Sequence, residues 1–197
     1  MNPSTHLAPA TISQSSSQLW LRNIGIAIAG SLLVAVAAHV ALPLGFTPVP
    51  FTLQPFAVLL LGLVLAPRLA AGTMALYLAE GAAGLPVFAP GTAALSGFAH
   101  LFGPTGGYLL AYPVAVFAIA TLWRSSSRKF GWAILSAAVG NVIILCIGAL
   151  WLGILTHASM SAVLTQAVIP FLPGDALKVV VAAALGFQWS RLRPSRS

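Results

Sequence analysis

Asp175 and Lys178 are the residues of this 197-residue chain whose types and spacing offer chemistry most directly. They stand three apart in the run PGDALK, Pro173–Lys178, among apolar residues. On a helix that spacing sets a carboxylate, which only accepts hydrogen bonds, beside an ammonium with three donors, both on one face. Such a pair can grip a polar ligand from two sides. Read as structure alone it is a self-neutralising ion pair, because a charge in hydrocarbon costs at least about 2.5 kcal/mol even on the lenient insertion scale. Pro173-Gly174 just before the pair opens the backbone, which a purely structural pair does not require. The other charge amid apolar residues is Glu80, the only Glu of the chain, beside a Gly- and Pro-punctuated stretch from Glu80 to Tyr108. It is either neutral in a dry site or facing a wet cavity. Asn141 and Gln54 add amide donors and acceptors, with structural glue between helices as the alternative for each. Tyr77 and Tyr108 bring phenols that seek partners when buried, and Phe88 and Gly84 supply wall and shape.

Other chemistries fail on spacing. His39, His100 and His157 have no His or carboxylate three or four residues away, so no metal site and no metal cofactor is expected. Gly103-Pro104-Thr105-Gly106-Gly107 lacks the Lys-Ser/Thr and the preceding strand of a phosphate-binding loop. Ser96 and His100 fall at helical spacing, the basis of an intramembrane hydrolase reading. They have no carboxylate nearby in sequence to orient the His and no GxSxG elbow. The single Cys146 allows no internal disulfide.

These residues must be positioned by membrane helices. The chain is 59% hydrophobic and 6% charged, with a mean hydropathy of +0.98, too little polar surface for a water-soluble globule. Six spans are expected: Trp20–Leu42, Leu53–Ala66, Leu69–Glu80 continuing toward Gly84, Gly106–Trp123 with a kink at Pro113, Gly131–Thr156, and a sixth running to Trp189. The second and third lie near the lower length limit. A Pro-rich loop, 42–55, and a connector, 157–173, complete the path. The formal charge of +7 is dispersed at the ends of apolar runs, which reads as topology and not as nucleic-acid binding. Arg22, Arg68, the Arg124–Lys129 loop and the basic tail alternate with connections free of Lys and Arg, so both termini are expected in the cytoplasm. The expected organisation is a disordered cytoplasmic tail (1–18), a six-helix membrane domain (19–190) and a basic cytoplasmic tail (191–197), all in a multi-pass protein of the plasma membrane. Counting back from Trp189 at about 1.5 Å per residue sets Asp175 about 21 Å from the cytoplasmic interface. Ala27, Ser31 and Ala35 share one face of the first helix at four-residue spacing, read either as internal packing or as a docking face for another membrane protein.

Four motifs in order, PVPFTLQ (Pro48–Gln54), GLPVFA (Gly84–Ala89), FGPTGGYL (Phe102–Leu109) and PGDALK (Pro173–Lys178), resemble the BioY family over nearly all of residues 20–190. That family is the biotin-specific substrate-binding S component of energy-coupling factor (ECF) transporters. One departure is Ser96-Gly97, where a Gly-Gly pair is expected. The resemblance implies an all-α, six-helix S-component fold, capture of biotin at an outward pocket, delivery inward, and association with a transmembrane coupling subunit and two ATPase subunits. It implicates Asp175 and Lys178 in biotin binding, and the chain is expected not to be an enzyme. An S component for thiamine or riboflavin is the alternative with the same fold. Asp175 suits the ureido N–H groups of biotin, Lys178 its ureido carbonyl or its carboxylate, and Asn141 or Gln54 the rest of the polar set. The docking surface is expected on the Ala27/Ser31/Ala35 stripe, and Glu80–Tyr108 is expected to be an outer gate and one wall of the pocket.

Overall fold

The computed structural model of the chain describes residues 16–90 and 95–192. The expected tails fall almost wholly on 1–15 and 193–197, outside the described residues, whereas Ser16–Gln18 belong to the first turn of a helix. That helix, α1, is Ser16–His39. A short antiparallel ribbon follows, β1 (Ala41–Leu42) with β2 (Phe51–Thr52), Ala41 opposite Thr52, in the segment expected to be loop. Then come α2 (Gln54–Val64), α3 (Pro67–Ala82), a 3-10 turn (Gly97–Phe102), α4 (Gly106–Ser125), α5 (Phe130–Thr156), α6 (Met160–Ala167) and α7 (Leu172–Leu192).

Local chemistry sets most of these boundaries. The His39 ring folds back on the Ala35 carbonyl at 2.8 Å in the last turn of α1. Pro55 and Pro67 each sit in a first helical turn, where a missing N–H costs nothing. Pro67 also keeps Ala66 extended, at φ −69° and ψ 147°, so α2 stops after eleven residues. Ser159 starts α6 by accepting the Ala162 N–H. The expected connector 157–173 therefore contains a helix, and α6 meets α7 at a 50° bend. Ser96 has φ −132° and ψ 160°, a conformation open to any residue, and the left-handed backbone falls on Gly97 at φ 59°. The Ser in place of a first glycine is thus accommodated without strain.

Among the described residues, α1, α4 and α5 are long and apolar enough to cross a membrane, and α6 with α7 makes a fourth span if the bent pair is read as one. At about 1.5 Å per residue, α2 and α3 reach only about 17 and 24 Å. α2 nevertheless lies at the centre, packed on α1, α4, α5 and α7, with Ala57, Val58 and Leu59 sealed from solvent. The outside is apolar: Leu32, Val36, Val114, Val142, Leu150 and Leu177 are all exposed, the surface that hydrocarbon suits.

The small-residue stripe on α1 faces inward. Ser31 and Ala35 are buried, a Cβ on adjacent Gly30 would meet the Thr73 methyl of α3 at 2.7 Å, and the Ser31 hydroxyl donates to the Glu80 carboxylate of α3. The close approach that small residues permit is used inside the bundle. Ser31 and Ala35 thus take the packing role of the two read from sequence, while Ala27 of the same stripe stays half-buried.

Candidate functional site

The helices α2, α4 and α7 all begin at one end of the bundle, and a cavity of about 530 Å³, counting its open mouth, lies among their first turns. Gln54, Tyr108, Asp175 and Lys178 line it, with Phe171 from the α6–α7 bend and Val49 from the Pro-rich segment.

Asp175 and Lys178 form the ion pair that their spacing implies. Lys178 Nζ donates to Asp175 Oδ1 at 2.9 Å, and both residues are buried. The ammonium also lies 3.9 Å from the centre of the Phe51 ring, a cation–π contact strengthened by desolvation. Phe51 reaches that place because Gly174 has no side chain: a Cβ there would overlap the ring. Phe51 in turn stacks on Phe171, centroids 6.3 Å apart and planes 7° apart. Behind the pair, the Asn141 amide of α5 donates to Asp175 Oδ2 at 3.4 Å. A carboxylate accepts only, so the NH2 must face it, and Asn141 Oδ1 is left buried without a partner. Removing either member of a buried ion pair costs about 3–5 kcal/mol, yet the intact pair contributes little net stability over an apolar replacement. The arrangement is thus expensive to disturb without being a main source of stability, which fits a site.

A second polar group borders the cavity. Gln54 Nε2 donates to the Tyr77 hydroxyl at 2.6 Å, and that hydroxyl donates to the Val87 carbonyl at 2.9 Å. Thr52 Oγ1 accepts the Gln54 N–H at 3.3 Å, fixing the first turn of α2. Opposite, the Tyr108 hydroxyl donates to the Ala167 carbonyl at 2.8 Å, tying α4 to the end of α6. Gly148 makes room for this ring, since its Cβ would overlap Tyr108.

The residues proposed from sequence divide into groups. Asp175, Lys178, Tyr108 and Gln54 line the cavity, and Asn141 stands directly behind Asp175. Phe88 packs instead on Tyr77 and His100, with ring centroids 5.5 and 5.0 Å away. Gly84 lies in the left-handed turn after α3, at φ 94°. Glu80 is engaged with Ser31 between α1 and α3, so the structure does not bring it to the cavity.

The comparisons bear on the whole chain. The BioY family model matches residues 8–195. The chain belongs to the BioY family. The "Probable biotin transporter BioY" of Pyrococcus horikoshii is 39% identical over 153 residues, 78% of this chain and 86% of the relative. The "Biotin transporter BioY" of Thermotoga maritima is 37% identical, covering 83% and 93% of the two chains. "Biotin transporter BioY2" of Lactococcus lactis is 36% identical, covering 84% and 88%. In fold, this BioY-family chain matches a crystal structure of the S-component for biotin from an ECF-type ABC transporter, with a TM-score of 0.80 over 93% of this chain and 97% of that one at 22% identity.

Sequence reasoning missed part of the wall of this BioY-family cavity. Thr52, His100 and Thr105 also line it. His100 was read from sequence as half of a Ser96/His100 pair. Its ring nitrogens instead meet the Leu95 carbonyl at 3.1 Å and the Thr105 hydroxyl at 3.3 Å, and Ser96 is exposed. The five-residue interval from His100 to Thr105, in a segment broken by Pro104, carries no helical signal that could have paired them.

Proposed function

We propose that this chain is the substrate-binding component of a biotin uptake system, holding biotin in the Asp175–Lys178 cavity and delivering it across the cytoplasmic membrane. It is a transport component and not an enzyme. The observation that carries the reading is the buried Asp175–Lys178 pair in the wall of a cavity flanked by aromatic rings. Biotin presents two ureido N–H donors, a carbonyl acceptor, an apolar thiophane ring and a carboxylate. Asp175 accepts from the ureido N–H groups, Lys178 donates to the ureido carbonyl or the carboxylate, and Phe171 and Tyr108 flank the apolar ring. The names of the relatives support the substrate.

Six spans with both termini in the cytoplasm complete the proposal, α2 and α3 being two short spans joined at the Pro67–Arg68 turn. In its favour, the start of α1 and the end of α7 line one recess, together with Arg22, Arg68, Arg124 and Arg128, as the positive-inside rule requires of a cytoplasmic face. Uptake against a gradient then draws on an ECF coupling subunit and two ATPase subunits.

Titration of labelled biotin against the purified full chain tests the substrate, with thiamine and riboflavin as competitors. Saturable binding displaced by unlabelled biotin alone is expected. Displacement by thiamine or riboflavin instead would replace biotin with another vitamin. Unchanged biotin affinity in both Asp175→Asn and Lys178→Ala would overturn the site.

A further inference from the structure

At the end of the bundle away from the cavity, the last turns of α2, α4 and α7, the second and third turns of α1 and the first turn of α3 surround a wide recess of about 2450 Å³, counting its open side. Arg22, Arg68 and the Arg124/Arg128 pair come to it from three separate parts of the sequence. These charges look dispersed along the chain, and folding gathers them. All four are exposed. Trp123, almost wholly buried, forms part of the floor, and the Arg128 guanidinium stands 5.8 Å from its ring centre. Between the charges the wall is apolar, from Ile26, Leu63, Leu69 and Leu192.

No acidic side chain of this protein neutralises the group. The chain has two acidic side chains in all; Asp175 is paired with Lys178 in the cavity, and Glu80 is engaged with Ser31. The side chains therefore leave the counter-charge to an anion from outside. A set of guanidiniums offers the forked donor geometry that phosphate oxygens accept in pairs, and the interleaved apolar wall suits the acyl chains attached to such a phosphate. A positive-inside signal requires only basic residues near the ends of spans. It does not require four of them around one recess, and Lys129 and Arg191 meet that requirement outside it.

We infer that this recess is a binding site for the phosphodiester headgroup of an anionic phospholipid, with Arg22, Arg68, Arg124 and Arg128 on the phosphate and the apolar wall along the upper acyl chains. Basic pockets between helix ends take such headgroups by the same combination of charge and burial. The site is separate from the cavity and makes no use of the biotin reading.

Native mass spectrometry of the full chain, purified in a nonionic detergent and equilibrated with equal amounts of phosphatidylglycerol and phosphatidylcholine of matched acyl chains, tests this. Retention of phosphatidylglycerol is expected to exceed that of phosphatidylcholine by about tenfold or more, falling about fivefold for each guanidinium removed in Arg68→Gln/Arg124→Gln. Lys129→Gln, a charge outside the recess, should leave the preference unchanged. Removing positive charge can disturb insertion, so Arg68→Lys/Arg124→Lys is measured beside it; with the charge kept and the fork lost, an intermediate preference is expected. The inference is overturned if the unmodified chain shows no preference, as it would if only an acidic segment of a partner subunit fills the recess. It is also overturned if both recess pairs behave like the unmodified chain, or if inorganic phosphate alone displaces the lipid, which would make this a small-anion site. Biotin titration of the same preparations keeps the two readings distinct, since either can fail while the other stands.

Discussion

The two ends of the bundle treat charge in opposite ways. At the cavity, one anion and one cation are buried within 2.9 Å of each other, with an amide and an aromatic ring completing their surroundings. At the recess, four cations stand exposed around one space without an acidic residue. The first arrangement is closed in net charge but open in geometry, holding a cavity and an unused carbonyl on Asn141. The second has charge left over. A bundle with two acidic side chains has committed both away from the end where most of its cations gather, and the two ends are therefore suited to different groups: one that offers both donors and acceptors, as a ureido ring does, at the first, and an anion without donors at the second.

The largest effects should come from breaking the pair at the cavity. Lys178→Ala leaves Asp175 buried with only the 3.4 Å bond from the Asn141 amide, at a cost of about 3–5 kcal/mol in stability, together with loss of biotin binding by isothermal titration. Replacing both members by apolar residues, Asp175→Leu/Lys178→Met, should return most of that stability, because the intact pair adds little beyond what packing provides, while binding stays lost. A double variant as unstable as the single one would show that the pair is a structural keystone, and the contrast between the ends would lose its functional meaning.

Next in size is the support for the pair. Gly174→Ala sets a Cβ into the Phe51 ring, and overpacking of this kind costs about 1–3 kcal/mol. Because Phe51 holds the Lys178 ammonium, biotin affinity should fall with it. Gly72→Ala, whose Cβ would meet nothing within 4 Å, is the matched control: it should leave affinity unchanged and, as a Gly-to-Ala change inside a helix, should not lower the thermal midpoint. Ala35→Leu belongs to the same range. Ala35 is buried among α1's contacts, so the extra volume should lower the thermal midpoint of the isolated chain, measured by fluorescence unfolding. An unchanged midpoint would restore the stripe as a free docking face.

These cases also show how much was legible in the sequence. The Asp175–Lys178 pair could be read because both members lie on one helix, where a spacing of three fixes their relation. Gln54 and Tyr108 could be read because each opens a helix at the edge of a Gly- or Pro-rich stretch. Phe51 under Lys178, Asn141 behind Asp175 and His100 on Thr105 depend on how separate elements meet, and residue types alone carry no sign of those meetings. The stripe on α1 illustrates the limit: four-residue spacing signals a close helix neighbour but not whether that neighbour is α3 or another protein. Glu80 misled for a related reason. A lone carboxylate amid apolar residues requires a partner, and the Ser31 hydroxyl across α1 supplies it. The dispersal of the arginines along the chain likewise hid that folding gathers four of them. The length of the spans was blurred by Pro55 and Pro67, which fix where α2 can begin and end and leave it eleven residues long.

The smallest effect is expected at the other end, and it is the sharper test of the contrast. Arg124 is exposed at the recess, and the like charge of Arg128 is the neighbouring charge that acts on it. In detergent without anionic lipid, Arg124→Gln removes no internal partner and relieves some repulsion, so stability should change by less than about 0.5 kcal/mol and biotin affinity by less than about twofold. Addition of phosphatidylglycerol should then separate the two proteins, raising the thermal midpoint of the unmodified chain more than that of Arg124→Gln. If Arg124→Gln instead lost stability on the scale of Lys178→Ala, the recess cations would have to be engaged within the bundle, and the division of paired charge at one end from unpaired charge at the other would not hold.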